Sequence, residues 1–110
     1  MSRPVIPRNP TNPAYQLIPD ELKATIPKLY ATENVADPIV QVKLFTPDSS
    51  WTWLIVEVDL EERIAFGLVK GLEIEMGYIS LEELEEARGP LGLPIERDLF
   101  CHKCLPFNQN

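Results

Sequence analysis

The sequence predicts an α+β domain: an antiparallel β-meander of four to five strands with two short helices packed on the sheet. Four apolar segments rich in β-branched and aromatic residues follow one another between residues 40 and 79, separated by short turns. Strands joined by such short turns pair antiparallel. Helical spacing of apolar residues occurs on the two sides of this block, which places the helices before and after the meander.

The predicted strands are residues 40–45, 51–59, 64–69 and 72–79, with residues 95–100 as a fifth. Glycines interrupt two of them. Gly67 predicts a bulge or a close approach of another backbone, and Gly77 suggests a bulge in the fourth strand. The aromatic residues of these strands are expected to fill the core, namely Phe45, Trp53, Phe66 and Tyr78. Trp51 stands at a turn and is the predicted partly exposed contact residue.

The first helix is predicted from Pro19 to about residue 30. Asp20 and Glu21 suit a helix N-terminus, and an apolar stripe at helical spacing begins at Leu22. Pro27 lies inside that stripe, so the helix must be short or kinked.

The second helix begins at Ser80, which forms a capping box with Glu83, and it is expected to end before Gly89 and Pro90.

Composition limits the location and the partners. The chain has 110 residues and a net charge of −7, which disfavours direct binding to nucleic acid or to anionic membranes and favours a basic partner. It has no apolar run of membrane-spanning length, so we expect a cytoplasmic protein. The predicted organisation is a proline-rich arm over residues 1–17, one domain over 18–100 and a tail over 101–110.

Several motifs together resemble the domain of unknown function 2958 family, over about residues 18–100. They are Val42-Lys43-Leu44-Phe45-Thr46-Pro47, Thr52-Trp53-Leu54, Ala65-Phe66-Gly67, Gly77-Tyr78-Ile79-Ser80-Leu81-Glu82-Glu83-Leu84 and Gly89-Pro90-Leu91-Gly92-Leu93-Pro94-Ile95-Glu96-Arg97-Asp98-Leu99. The resemblance implies a small bacterial protein of plasmids, phages or integrative elements, encoded near DNA-processing genes. It supplies no catalytic residues.

Acidic residues are concentrated between residues 57 and 86, where Arg63 and Lys70 are the two cations. Such a surface can be a solvated face, or it can imitate nucleic acid and occupy a basic groove of a DNA-handling or defence protein. We expect a non-enzymatic accessory protein whose partner-binding residues are Trp51 and the acids Glu57, Asp59, Glu61, Glu62, Glu73, Glu75, Glu82, Glu83, Glu85 and Glu86.

A second hypothesis is a small enzyme or ligand-binding protein with its site near the loop that leads into Glu96, Arg97 and Asp98. Its pocket would include these three residues and Tyr78, with the two carboxylates as an acid/base pair. The sequence has no phosphate loop or nucleophile motif to complete a catalytic site. The alternative is structural: Arg97 pairs with a carboxylate and ties the loop to the sheet.

Cys101 and Cys104 form a Cys-x-x-Cys motif, which supplies two of the four ligands of a zinc site. A second copy of the chain could supply the other two, so a zinc-linked dimer is a third hypothesis. No cofactor or resident metal is predicted, and the sequence leaves the oligomeric state open.

Overall fold

The computed structural model describes residues 13–102 and, of these, the side chains up to residue 99. The described part is mostly β: one α-helix, two short 3₁₀ turns and a five-stranded antiparallel sheet. In chain order the elements are β1 (Val42–Phe45), β2 (Thr52–Asp59), β3 (Ile64–Lys70), β4 (Ile74–Ser80), α1 (Leu81–Glu86) and β5 (Glu96–His102).

The strand order is β4-β3-β2-β1-β5, so the first four strands form the predicted meander. The chain then crosses from one edge of the sheet to the other and adds β5 beside β1. The edge strands of the described sheet are therefore β4 and β5.

Alternate residues of β2 enter two different clusters of buried side chains. Trp53 and Ile55 belong to the larger cluster, which also contains Leu81 and Leu84 around α1. Leu54 belongs to a smaller cluster on the other side of the sheet. We call these sides the helix face and the open face.

A β-bulge at Val56 changes which side chains reach each face. The register between β2 and β3 shifts after the Ile55–Gly67 pair, so that Glu57 lies opposite Phe66. Regular alternation would place Glu57 on the same face as Ile55. The bulge instead turns Glu57 to the open face and Val58 into the large core. Gly77, where the sequence suggested a bulge, pairs with Gly67 in regular register.

The predicted first helix is wrong, although its apolar residues are buried. The structure has one 3₁₀ turn at Asp20–Leu22, followed by a hydrogen bond from the amide N of Ile26 to the carbonyl O of Leu22 at 2.7 Å. Pro27 stops helix growth because its ring disfavours the helical conformation at Ile26 and it has no amide hydrogen. Leu22 and Ile26 nevertheless lie in the large core.

The helix α1 begins as predicted. The Ser80 hydroxyl accepts a hydrogen bond from the amide N of Glu83 at 3.2 Å, which satisfies one of the free amides of the first turn. Leu81 and Leu84 fix the helix to the sheet. Among the described residues, no helix has the length and apolarity that a bilayer span requires.

Residues 13–17, which the sequence assigns to the arm, pack on the sheet. Pro13–Tyr15 forms a 3₁₀ turn against β5, and the side chains of Ala14 and Leu17 are buried. Residues 1–12 of the predicted arm and residues 103–110 of the predicted tail lie outside the described residues.

Candidate interaction surface

Nine of the ten predicted acidic contact residues lie at least partly in solvent. They come from the β2–β3 turn, the β3–β4 turn with β4, and the helix α1: Asp59, Glu61, Glu62, Glu73, Glu75, Glu82, Glu83, Glu85 and Glu86. Of the two cations in this part of the chain, Arg63 forms an ion pair with Glu85. The acidic side chains therefore outnumber the cations on this surface.

Glu57 does not belong to this surface, because its side chain is only 3% exposed. Its carboxylate accepts hydrogen bonds from the amide N of Tyr30 at 2.7 Å and of Thr32 at 2.8 Å, and a further one from the Thr32 hydroxyl. A buried carboxylate needs such donors to replace its lost hydration. Glu57 thus acts as an internal support for the loop around Tyr30.

Tyr30 has a positive φ of 71°, a conformation that residues other than glycine adopt at an energetic cost. The bond to Glu57 holds its backbone in place. Its ring meets that of Tyr78 edge-on at 6.4 Å between centroids, and Tyr78 lies 5.2 Å from Phe66. The loop therefore carries an aromatic residue onto the open face beside β4.

An exposed row of apolar side chains runs along the edge strand β4. The exposed fractions are 68% for Ile74, 48% for Met76 and 59% for Tyr78, and Leu72 just before the strand is 94% exposed. Met76 pairs with Leu68 and Tyr78 with Phe66, so the row lies on the open face. The prediction that Tyr78 fills the core is therefore wrong, and Phe45 and Phe66 are half-buried, whereas Trp53 is buried.

The contact with Tyr30 raises the pKa of Tyr78 above its ordinary value, chiefly through a side-chain hydrogen bond that favours the protonated hydroxyl. Partial desolvation and the nearby charges of Glu57 and Glu33 act in the same direction. Folding therefore favours neutral Tyr78, and this contribution to stability is full below the ordinary pKa and is lost as the pH rises through the raised pKa.

We expect the change Tyr30→Phe to lower the pKa of Tyr78 towards that of a free tyrosine, because the hydroxyl partner is removed. An NMR pH titration of ring-labelled tyrosine would measure it. Tyr15 is the internal control, and its titration should not move. An unchanged Tyr78 titration in the variant would contradict the contact.

Trp51 lies at the same edge but on the helix face. It is 39% exposed, and its indole ring stacks on Trp53 with 6.1 Å between centroids. Together with Val69, Leu72, Glu73 and Glu75 it lines a hollow of about 320 Å³. The structure thus brings an exposed indole close to two of the predicted acidic contact residues.

The predicted pocket of Tyr78 with Glu96, Arg97 and Asp98 is wrong, because its members lie at opposite edges of the sheet. Tyr78 is in β4 and the other three are in β5. The pairing partner expected for Arg97 was a carboxylate. Its guanidinium instead donates hydrogen bonds to two backbone carbonyls: from Nε to Gln16 O at 2.8 Å and from Nη2 to Pro13 O at 3.1 Å.

Arg97 is therefore a latch that holds the start of the described chain against β5. Its side chain is buried, and burial lowers the pKa of the guanidinium from its ordinary value, an effect that the charge of Glu21 opposes. A buried cation that binds two carbonyls has a structural role, and it presents no free group to a substrate.

The loop after α1 is held by the β1–β2 turn. Asp48 Oδ2 accepts a hydrogen bond from the amide N of Leu91 at 2.8 Å, and the loop closes on itself through a bond from the amide N of Gly92 to Gly89 O at 2.9 Å. Gly92 has a φ of 84°, which favours glycine. A depression of about 400 Å³ lies between this loop and the two tryptophans.

The model of a family described as a protein of unknown function (DUF2958) matches residues 17–108. The chain belongs to this family. No curated protein and no solved structure matches the chain. The resemblance seen in the sequence motifs is thus confirmed.

The match of this DUF2958 protein extends beyond residue 100 and so includes Cys101 and Cys104. Cys104 and the side chain of Cys101 lie outside what the structure describes, so the zinc-linked dimer stays a prediction. Among the described side chains, no group of three or more potential metal ligands is close enough to hold a metal ion.

Sequence reasoning missed the apolar row on β4 and the roles of Tyr30 and Glu57. A signal for the row was present: Leu72, Ile74, Met76 and Tyr78 alternate with Glu73, Glu75 and Gly77. Such alternation shows that one face is apolar, but it does not show whether that face is covered.

Proposed function

We propose that this DUF2958 protein is a non-enzymatic interaction protein of a bacterial mobile element, which acts in the cytoplasm and binds a basic surface of a DNA-handling or defence protein. The observation that carries the proposal is the edge strand β4, where the exposed apolar row of Ile74, Met76 and Tyr78 lies among uncompensated carboxylates. The mobile-element setting comes from the family resemblance.

The two parts of this surface support different aspects of binding. Carboxylates of one sign attract a basic partner and raise the association rate, an effect that salt weakens. Apolar side chains provide affinity when they leave water, and neighbouring apolar residues exposed in this way are typical of an interaction site. A surface with charge alone would support imitation of nucleic acid, whereas the apolar row supports a protein interface with defined side-chain contacts.

The arrangement of the β5 residues supports the non-enzymatic proposal over the enzymatic alternative. Arg97 is occupied by backbone carbonyls, and Tyr78 is four strands away from Glu96 and Asp98. The depression beside the loop at Gly89 is lined by Trp51 and Trp53, and it could accept a small planar ligand. This ligand-binding alternative predicts saturable quenching of tryptophan fluorescence.

The experiment is capture of proteins from the native host on the immobilised chain. We expect the double change Glu82→Gln and Glu86→Gln to reduce capture of the specific partner at least about fivefold at low salt, because exposed charges at α1 are removed. The matched control is Asp20→Asn with Glu96→Gln, which changes the net charge equally outside this surface. Mass spectrometry identifies and quantifies the captured protein.

Equal capture by wild type and the Glu82/Glu86 variant would contradict the proposal. Equal loss in the Asp20/Glu96 control would also contradict it, since net charge would then matter and the location of the charge would not. Addition of double-stranded DNA should compete with capture if the partner uses its nucleic-acid-binding groove.

A further inference from the structure

We propose that the open edge of β4 is completed by an extended segment of the partner, which adds a strand to the sheet and alternates basic with apolar side chains. This inference rests on the proposed function and specifies the chemistry of the partner. It commits to main-chain pairing at one edge, which binding by charge alone does not require.

The first argument is the backbone of β4. Within residues 13–102 this strand pairs with β3 on one side and with no strand on the other. An unpaired strand edge presents a row of amide and carbonyl groups, to which an extended peptide can add. The other edge strand, β5, is packed against Pro13–Tyr15. The edge of β4 is thus the more accessible of the two.

The second argument is the alternation of side chains along β4. Ile74, Met76 and Tyr78 project to the open face, while Glu75 projects to the helix face, where it pairs with Val69. A paired strand places its own side chains directly beside these. The matching segment therefore has apolar residues towards the open face and cationic residues towards the helix face.

The third argument is the hollow of about 320 Å³ at the helix-face side of this edge, which contains Trp51, Glu73 and Glu75. A lysine or arginine on the added strand would find carboxylates and the exposed edge of an indole there. Cations bind both groups, and the face of tryptophan is the best aromatic partner for a cation. The hollow therefore specifies a basic residue on the same side as the carboxylates.

Charge disfavours a second copy of the chain as the occupant. Pairing of two β4 strands with their apolar rows on one face would gather Glu73 and Glu75 of both copies on the other face. Each copy also has a net charge of −7. Like charges that face one another across paired strands are destabilising.

The test uses the full-length chain and synthetic peptides in which lysine alternates with valine. One control peptide has the same composition in two blocks. Two others carry N-methyl groups on every second residue, in the two alternative phases, which removes the amide hydrogens along one edge of the strand or the other. We expect the alternating peptide and one methylated phase to bind, the other phase to fail, and the block peptide to bind at least about tenfold more weakly.

Chain variants locate the site. Met76→Lys should weaken binding of the alternating peptide at least about tenfold, since it places a like charge in the apolar row. Leu91→Lys is the matched control, because Leu91 is an exposed leucine in the loop after α1 and should bind normally. Circular dichroism establishes that both variants are folded, and NMR shifts of the β4 amides should change on binding.

Equal binding of the two methylated phases, binding that survives Met76→Lys, or no binding of the alternating peptide would each overturn the inference. So would a dimer in sedimentation that Met76→Lys dissociates, which would assign the edge to a second copy. Loss of host-protein capture in the Glu82/Glu86 variant is measured separately, so failure of strand pairing leaves the proposed function standing.

Discussion

The change Gly67→Ala is expected to destabilise the protein by about 4 kcal/mol, which is most of the stability of an ordinary domain. A Cβ atom at this position would lie 2.0 Å from the carbonyl O of Leu54, 2.9 Å from its carbonyl C and 3.0 Å from Cα of Ile55. All three are backbone atoms of the central strand β2, so no side chain can rotate away. The strands β2 and β3 would have to separate.

Gly77 provides the matched control, because it is the direct cross-strand partner of Gly67 on β4. A Cβ atom there would meet nothing within 4 Å. We expect Gly77→Ala to be neutral or to stabilise by about 0.5 kcal/mol, since alanine reduces the freedom of the unfolded chain. Urea unfolding followed by circular dichroism compares the two. Similar midpoints for both variants would contradict the close approach at Gly67.

The second large effect is expected for Glu57→Ala, at about 3 kcal/mol of lost stability. The change leaves the amides of Tyr30 and Thr32 without their acceptor, and hydrogen bonds to charged groups contribute about 1.5–3 kcal/mol each before the site relaxes. Glu57→Gln keeps one acceptor oxygen, so it should cost less. Because the bonds hold Tyr30 in its positive-φ conformation, both variants should also loosen its ring contact with Tyr78.

Glu62→Gln is the control for this prediction, since Glu62 is an exposed glutamate in the next turn. Its effect should lie within about 0.5 kcal/mol of zero. Urea unfolding measures the free energies, and hydrogen exchange of the Thr32 amide reports the local bond. If Glu57→Ala unfolds at the same urea concentration as Glu62→Gln, the buried carboxylate does not support the loop.

The meander was predictable because its signals are local. Alternation, β-branched residues and short turns are properties of neighbouring positions, and the capping box at Ser80 spans three residues. The strand limits differ from the prediction by one or two residues at most ends. The close approach at Gly67 was also predictable, since a glycine inside a strand often marks a bulge or a position where another backbone comes close.

The errors concern contacts between residues distant in sequence. Glu57 looks like a surface acid until its donors, 25 and 27 residues earlier, are known. The bulge at Val56 leaves no mark in composition, yet it decides which face Glu57 occupies. Arg97 was expected to bind a carboxylate because charge is visible in a sequence, whereas the backbone carbonyls that it binds are present at every position.

The Arg97 latch has a consequence for the order in which the molecule folds. Its two hydrogen bonds join residues that are 81 and 84 positions apart, while the pairs β2–β3 and β3–β4 join close neighbours. Closing so long a segment of chain is entropically costly until other contacts have shortened it. The latch should therefore form after the rate-limiting step, so that its strength controls how long the native molecule persists and hardly affects how fast it forms.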